Sequence, residues 1–308
     1  MTETPNADAS VAVRTENLSK VFRDFWQRPK VRAVDGLDLE ILQGEVFGLL
    51  GPNGSGKSTT IKMLLGLLYP TAGAIRVLGA SPRQVKTKAR IGYLPEESNL
   101  YTYLTARETL DFFGRLFGLD RRARRQRTEA LLERVGLTAA ADRLVGEFSK
   151  GMARRIGLAQ ALINEPELLI LDEPTAGLDP LGCRQVKDLI LSLAKEGRTV
   201  ILSSHLLADV EDVCDRIAIL DHGRVRARGR VRELLERREQ IQWTLPSLPP
   251  DRTAALLRLI REQIGSEPEL HHPAMNLERF FLDVIEQAHA APAPRPTDHA
   301  QSPDNPPG

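Results

Sequence analysis

The sequence predicts an α/β fold with a parallel sheet at its core. In the second half of the chain, apolar strand-like runs alternate with helical patterns, and such alternation is typical of a parallel sheet covered by helices. Short β-type runs fill residues 11–50, and a helix-rich block follows between Thr105 and Ile163. The block interrupts the strand pattern and therefore indicates an inserted helical lobe.

The N-terminal runs lead to a strand that is apolar almost throughout. These runs are Val11–Thr15, Val31–Val34, Leu37–Leu42 and Val46–Leu50. The apolar texture of the last run predicts a strand buried on both faces of a sheet. A helix is predicted at Thr60–Leu68, since Pro70 and Gly73 follow as breakers.

Apolar residues at helical spacing predict three helices in the inserted block. They lie at Arg107–Phe117, Arg124–Val135 and Ala153–Ile163. After the block we expect the strands Leu168–Leu171, Thr199–Ser203 and Arg216–Leu220, with helices at Arg184–Lys195 and Leu206–Cys214. Two further helix patterns, Arg252–Ile264 and Leu277–Ala288, lie near the C-terminus.

Composition and texture divide the chain into four stretches. We expect a disordered leader at 1–10, a main domain at 11–235 with the helical lobe at about 95–165, an accessory region at 236–289 and a Pro-rich disordered tail at 290–308. The leader is acidic and lacks the apolar core of a secretion signal.

Bulk properties exclude several classes of protein. Of 308 residues, 42% are hydrophobic, which supports a real core, whereas aromatic residues make up only 5%, too few for broad nucleic-acid stacking surfaces. A net charge of +1 argues against a polyanion-binding protein. Cys183 and Cys214 lie in helix-like stretches without metal-site or disulfide spacing, so a reducing cytosol is expected. No apolar run approaches the ~20 residues that span a bilayer.

A glycine-rich loop with a lysine follows the buried strand. The nine residues are Gly51, Pro52, Asn53, Gly54, Ser55, Gly56, Lys57, Ser58 and Thr59, and they fit the phosphate-loop pattern of nucleotide-binding proteins. Glycine lets the backbone approach phosphate oxygens and adopt positive φ, while Lys57 supplies charge and Ser58 offers a hydroxyl to Mg²⁺. The alternative is a chance Gly-rich turn, but the strand before and the helix after favour a nucleotide site.

The phosphate loop defines the predicted core as that of a P-loop NTPase. Its parallel sheet is expected to carry an N-terminal antiparallel β subdomain, the inserted helical lobe and a small C-terminal extension.

Two adjacent carboxylates end the predicted strand Leu168–Leu171. Ligands bind at the carboxyl ends of parallel strands, so Asp172 is placed to hold Mg²⁺ and Glu173 to accept a proton from attacking water. The alternative for both is a helix N-cap or a solvated acidic turn. His205 follows a strand expected beside that of Asp172, and it is either a γ-phosphate contact or a structural histidine.

Further motifs identify a family that the chain resembles, the ATP-binding-cassette (ABC) ATPases. Ser149-Lys150-Gly151-Met152 resembles the signature sequence, Gly177-Leu178-Asp179-Pro180 the D-loop and Ser204-His205 the H-switch. Residues 91–96 occupy the place of the Q-loop, with Glu96 instead of the usual Gln. Phe22 lies where the family has an aromatic residue that stacks on adenine. The resemblance covers about Val11 to Leu235.

The resemblance implies an ATP- and Mg²⁺-dependent ATPase that works as a head-to-tail dimer. The catalytic residues would then be Lys57, Glu173 and His205. The residues that bind Mg²⁺ would be Ser58, Asp172 and Glu96. Ser149 and Gly151 would reach the γ-phosphate bound by the other copy, and Asp179 would couple the two sites. Partners would be a second copy or a paralogous subunit and a separate transmembrane permease, contacted near Glu96–Tyr103, at the cytoplasmic face of the membrane.

The form of the motifs is similar to that of ABC-2 type exporters for drugs, antibiotics or sodium. Lys150 and Met152 replace the common Gly and Gln, and Glu96 adds negative charge beside the acid pair. The rival hypothesis is a soluble ABC-type ATPase of DNA repair or translation, but no long coiled coil, zinc module or second cassette is visible. A weakly hydrolysing regulatory cassette is disfavoured by the intact Lys57, Asp172, Glu173 and His205.

Three segments admit two interpretations. The basic run Arg121–Arg127 would contact lipid or nucleic acid, or would be the solvated start of a helix, which is favoured. Phe25 and Trp26 would extend an adenine platform or simply pack. The amphipathic segment Leu277–Ile285 is expected to pack on protein rather than enter a membrane.

Overall fold

A computed structural model describes residues 11–26, 28–236, 246 and 248–265 of the chain. The predicted leader, the helix Leu277–Ala288 and the Pro-rich tail lie outside the described residues. The chain divides into one compact unit at Met1–Arg237 and a second at Arg238–Gly308. In the described part of the second unit, a helix at Pro250–Ile264 ends at Gly265, which adopts a left-handed conformation.

The larger unit contains a six-stranded sheet that is parallel except at one edge, as the sequence predicts. From edge to edge its strands are β5 (Ile91–Leu94), β6 (Leu168–Asp172), β7 (Thr199–Ser204), β3 (Val46–Leu50), β8 (Arg216–Asp221) and β9 (Arg224–Arg230). β8 and β9 pair antiparallel. All residues of β3, β6 and β7 are buried.

Both faces of this sheet are covered by apolar side chains. Leu169 and Leu171 of β6 face a cluster that includes the helical lobe, while Leu168 and Ile170 face a cluster with the N-terminal strands. Because side chains alternate along a strand, burial on both faces explains why these strands are apolar throughout rather than alternating.

An N-terminal antiparallel sheet lies in the order β2-β1-β4, formed by β1 (Val11–Arg23), β2 (Pro29–Leu42) and β4 (Ala72–Val77). The prediction of separate strands at Val31–Val34 and Leu37–Leu42 is wrong. The pairing with β1 continues past Gly36 through several register shifts, which let one long strand bend without ending.

The helical lobe consists of α3 (Ala106–Leu116), α4 (Arg121–Arg134) and α5 (Lys150–Leu162). Each begins at a side-chain cap, supplied by Thr105, Asp120 and Ser149 respectively. Two of these helices therefore start three residues earlier than their apolar pattern predicts, because the cap and not the first apolar residue sets the start.

The basic run forms the first half of α4. Arg121, Arg122 and Arg125 are exposed, in agreement with a solvated helix start, but two other arginines of the run are engaged. Arg124 binds Asp111, with 2.7 Å between Nε and Oδ1, and Arg127 binds Glu165.

The remaining helices of the unit are α1 (Lys57–Leu64), α2 (Val85–Lys88), α6 (Pro180–Lys195), α7 (Leu207–Glu211) and α8 (Val231–Leu235). The helix predicted at Leu206–Cys214 is too long, since Cys214 lies in the segment that leads into β8. None of the helices in the described ranges is both long and apolar enough to cross a membrane.

Candidate functional site

The glycine-rich loop joins β3 to the N-terminus of α1. Gly54 and Gly56 adopt φ of 80° and 108°, in the left-handed region that favours glycine. A Cβ at Gly56 would lie 2.4 Å from the carbonyl oxygen of Ala33, a distance that excludes any side chain. The glycines therefore give a loop in which no side chain covers the backbone at Gly54 and Gly56.

Lys57 is the first residue of α1 and is 6% exposed. Its ammonium donates to the carbonyl oxygen of Gly51 at 2.6 Å and lies 3.6 Å from Oε1 of Glu173. The ammonium thus stands between the loop and the acid pair, where an added triphosphate would find a fixed positive charge.

The acid pair lies at the carboxyl end of β6, as predicted, and is held by Ser203 of the neighbouring β7. The Ser203 hydroxyl donates to Oδ1 of Asp172 at 2.6 Å and accepts from the backbone N–H of Glu173 at 2.9 Å. Glu173 has φ of 51°, so the backbone leaves the extended conformation of β6 at this residue. Burial raises the pKa of the nearby Tyr93 phenol to about 12, and the charge of Asp172 adds to this rise.

His205 contacts the second oxygen of Glu173. Its Nδ1 lies 2.8 Å from Oε2, while Oε1 of the same carboxylate faces Lys57. Because β6 and β7 are parallel neighbours, their carboxyl ends bring Glu173 and His205 together. One carboxylate therefore links a cation on the phosphate loop to an imidazole that is 44% exposed at its side chain.

A cavity of about 520 Å³ opens over these groups. It is lined by Phe22, Lys30, Val31, Ala33, Asn53, Gly54, Ser55, Gly56, Lys57, Ser58, Thr59, Glu96, Glu173 and His205. Residues predicted from five separate motifs, including Phe22 and Glu96, thus line one cavity. Asp172 is buried and does not belong to the lining.

Comparison with known proteins points to one family. The model of the ABC transporter family matches residues 34–176. An uncharacterised ABC transporter ATP-binding protein of Synechocystis is 47% identical over 76% of this chain and 66% of its own length. The Nod factor export ATP-binding protein I of Rhizobium is 43% identical over 74% of both chains. The chain belongs to the ABC transporter ATP-binding proteins.

Solved structures agree with this membership. cbiO1 of Clostridium perfringens, part of the ABC transporter complex cbiONQ, superimposes with a TM-score of 0.66 at 26% identity, over 83% of this chain and 96% of its own. A dimeric ATP-binding cassette bound to ADP and phosphate gives the same TM-score and identity over 71% of this chain and 99% of its own. The chain spans about two thirds to three quarters of the length of the curated relatives described above.

The residues predicted as the signature and the D-loop lie at two helix N-termini. Ser149 caps α5 and accepts from the N–H of Met152 at 3.2 Å, and Asp179 caps α6 by accepting from the N–H of Gly182 at 3.1 Å. Neither residue lines the cavity of its own chain. Helix N-termini favour anions through their N–H groups and the helix dipole.

The aromatic residues near Phe22 do not extend the cavity. Phe25 and Trp26 are 91% and 70% exposed and meet each other edge-on, with ring centroids 5.8 Å apart. Neither residue lines the cavity, and both side chains are exposed in the turn after β1.

The oxygen donors predicted for Mg²⁺ fit an ion that is shared with a phosphate. Ser58, Asp172 and Glu96 offer a hydroxyl and two carboxylates, which are hard ligands of the kind Mg²⁺ prefers. Within the described ranges, no group of three or more His, Cys, Asp or Glu side chains is placed to hold a metal alone. Mg²⁺ in such sites takes one or two carboxylates and completes its shell with water and substrate phosphate.

Sequence reasoning missed two residues that shape the site. Ser203 was treated only as the end of a strand, yet its hydroxyl joins both members of the acid pair. Arg154 was treated only as part of the signature helix, and it is buried beside the acid pair with 5% exposure. The available signal was an arginine three residues from both Gly151 and Gly157, on a helix face of small and apolar residues.

Proposed function

We propose that the chain is the ATP-binding and ATP-hydrolysing subunit of an ABC membrane exporter. The observation that carries this proposal is the contact of Glu173 with both Lys57 and His205 at the mouth of the phosphate loop. Glu173 is 6% exposed, and its carboxylate lies between a cation and an imidazole. In this position it can orient and deprotonate water next to a bound triphosphate.

The other predicted residues take their roles from their positions in the same cavity. Lys57 and the loop N–H groups bind the phosphates, Ser58, Asp172 and Glu96 hold Mg²⁺, and Phe22 stacks on the adenine. Mg²⁺ supplies charge neutralisation on the phosphate oxygens. His205 contacts the γ-phosphate while it fixes the orientation of Glu173.

Two copies complete each site by pairing head to tail. Ser149 and Gly151 lie at the start of α5 and outside their own cavity, so the ligand that suits them is the triphosphate on the second copy, and Asp179 couples the two sites. The dimeric relative bound to ADP and phosphate supports this arrangement. ATP then acts through its higher affinity for the closed dimer.

The partner in the membrane is a separate permease that docks near Glu96–Tyr103, and the cassette works at the cytoplasmic face. Export as the direction is supported by the exporter relative of Rhizobium. Residues 11–235 form the ATPase domain, 236–289 an accessory region, and 1–10 and 290–308 the flanking leader and tail. The cassette motifs favour this function over the soluble alternative.

The proposal is tested with Glu173→Gln. We expect hydrolysis, measured as phosphate release, to fall about a hundredfold or more, because the amide cannot accept the proton. ATP binding is expected to persist, and a stable dimer should accumulate with ATP in light scattering after size-exclusion chromatography. Lys57→Ala is the control, in which ATP affinity itself is lost. Undiminished turnover in Glu173→Gln would refute the assignment of the base.

A further inference from the structure

The guanidinium of Arg154 donates to five main-chain oxygen atoms around the candidate site and, from Nη1, to the Ser98 hydroxyl at 3.5 Å. Nε, Nη1 and Nη2 together provide five donors. The five acceptors are carbonyl oxygens that follow β5 or end β6, those of Pro95, Glu96, Asp172, Glu173 and Pro174. The contacts include 2.9 Å to the carbonyl of Glu96 and 2.7 Å to that of Glu173.

The cation is buried with carbonyl groups as its neighbours rather than a carboxylate partner. Burial lowers the pKa of Arg154 to about 10, and the negative charges of Asp172 and Glu96 oppose this fall. The group stays protonated at neutral pH, and a buried charge is tolerated only where its hydrogen bonds are all made. The five carbonyls therefore have to keep their relative positions for the side chain to remain where it is.

Arg154 also lies on the signature helix. It stands in the second turn of α5, which begins just after the cap Ser149, so a shift of this helix would act on both sets of carbonyls, those after β5 and those at the end of β6. The first set consists of the carbonyls of Pro95 and Glu96. The second set includes the carbonyl of Glu173.

We propose that Arg154 is a positioning residue that couples the signature helix to the acid pair and to Glu96. When a ligand on the facing copy draws α5 into place, the guanidinium sets the turn that holds Glu173 in its left-handed conformation. This inference rests on the proposed hydrolysis, but the coupling is a property of the described chain and has a readout of its own.

The test uses Arg154→Lys, which keeps the charge but has three donors in place of a planar fork of five. Its matched control is Arg198→Lys. Arg198 also binds two carbonyls, those of Glu165 and Pro166 at 2.9 and 2.8 Å, but it does so before the opposite end of β6.

We expect Arg154→Lys to lower kcat at least about tenfold while KM for ATP changes less than about threefold, because the phosphate loop is untouched. In the Glu173→Gln background the same change should alter the residual rate less than about twofold, since the base is already absent. Arg198→Lys should behave like wild type. An equal fold-loss in both backgrounds, or in the control, would assign Arg154 a merely structural effect.

Hydrogen exchange of the nucleotide-free protein provides the arm that does not depend on hydrolysis. We expect amide exchange in Arg154→Lys to be at least about tenfold faster in the segments 95–98 and 173–176, and unchanged across 165–168. Unchanged exchange in the first two segments would overturn the coupling. If wild type failed to hydrolyse ATP, the proposed function would fall, and exchange alone would decide the role of Arg154.

Discussion

At the scale of single residues, the site depends on a strained backbone position. Glu173 adopts φ of 51°, which costs a residue with a side chain on the order of 1–2 kcal/mol. Its N–H donates to the Ser203 hydroxyl at 2.9 Å and its carbonyl accepts from Arg154 at 2.7 Å. These two contacts hold the turn from both sides and aim the carboxylate at Lys57 and His205 instead of along the strand.

Ser203→Ala tests this account. The variant removes the hydroxyl that joins Asp172 to the Glu173 N–H, and leaving that buried N–H unpaired should cost about 1–3 kcal/mol of unfolding free energy. We also expect kcat for ATP to fall at least about tenfold, because the carboxylates lose their relative orientation. Urea unfolding and steady-state phosphate release measure the two effects.

Thr15→Val is the matched control for Ser203→Ala. Like Ser203, the buried Thr15 hydroxyl makes one bond as donor and one as acceptor: it donates to the carbonyl oxygen of Leu37 and accepts from the N–H of Leu39, each at 2.9 Å. It lies in the N-terminal sheet, so a similar loss of stability with unchanged kcat is expected. A parallel fall in kcat in both variants would mean that stability, not orientation, limits turnover in Ser203→Ala.

At the scale of elements, the sequence predicts those parts in which one local signal decides the outcome. The glycine loop follows the apolar run of β3, and the acid pair follows the apolar run of β6. In each case the run ends in residues whose chemistry points to one kind of site. β9 was not predicted, because its residues alternate between exposed and half-buried at a sheet edge and carry charges that also suit a loop. β5 has four residues, too few to give a period.

Long-range contacts escaped prediction for a related reason. The bond from Ser203 to Asp172 spans 31 residues, and that from Arg154 to the Pro95 carbonyl spans 59. These residues come together because the strand order is β5-β6-β7. Neither periodicity nor a motif in the sequence specifies which side chain of a neighbouring strand will form a given hydrogen bond.

Gly56→Ala probes the glycine loop as an element. Gly56 has φ of 108°, and a Cβ there would lie 2.4 Å from the carbonyl oxygen of Ala33. The variant therefore suffers both backbone strain and a steric clash. We expect the unfolding free energy to fall by more than about 2 kcal/mol and ATP affinity to fall with it. Urea unfolding and equilibrium ATP binding provide the measurements.

Gly54→Ala is the comparison within the same loop. Gly54 has φ of 80° with no heavy atom within 4 Å of the added Cβ, so only the backbone strain of about 1–2 kcal/mol applies. A loss in Gly54→Ala as large as that in Gly56→Ala would contradict the view that close packing against Ala33 shapes the loop.

At the scale of the whole molecule, two sets of predicted site residues in the described chain do not share a cavity. The phosphate loop, Glu173 and His205 line one cavity, whereas Ser149 caps a helix elsewhere in the same chain. In the proposed pairing, two copies meet in a closed two-fold dimer through the same surface, so each set of residues on one copy would face the complementary set on the other. Such a dimer predicts complementation between two variants that are each inactive.

The two variants are Lys57→Ala and Ser149→Asp. Aspartate still caps a helix, so α5 should be retained while its new charge repels the triphosphate on the facing copy. Each variant alone should be inactive, but an equal mixture should recover about a quarter of the wild-type rate, since half of randomly paired dimers are mixed and each holds one intact site. Phosphate release measured over a range of total protein concentration would rise faster than linearly for wild type and for the mixture. A mixture as inactive as its parts, with wild-type turnover per chain independent of concentration, would require each chain to complete its own site.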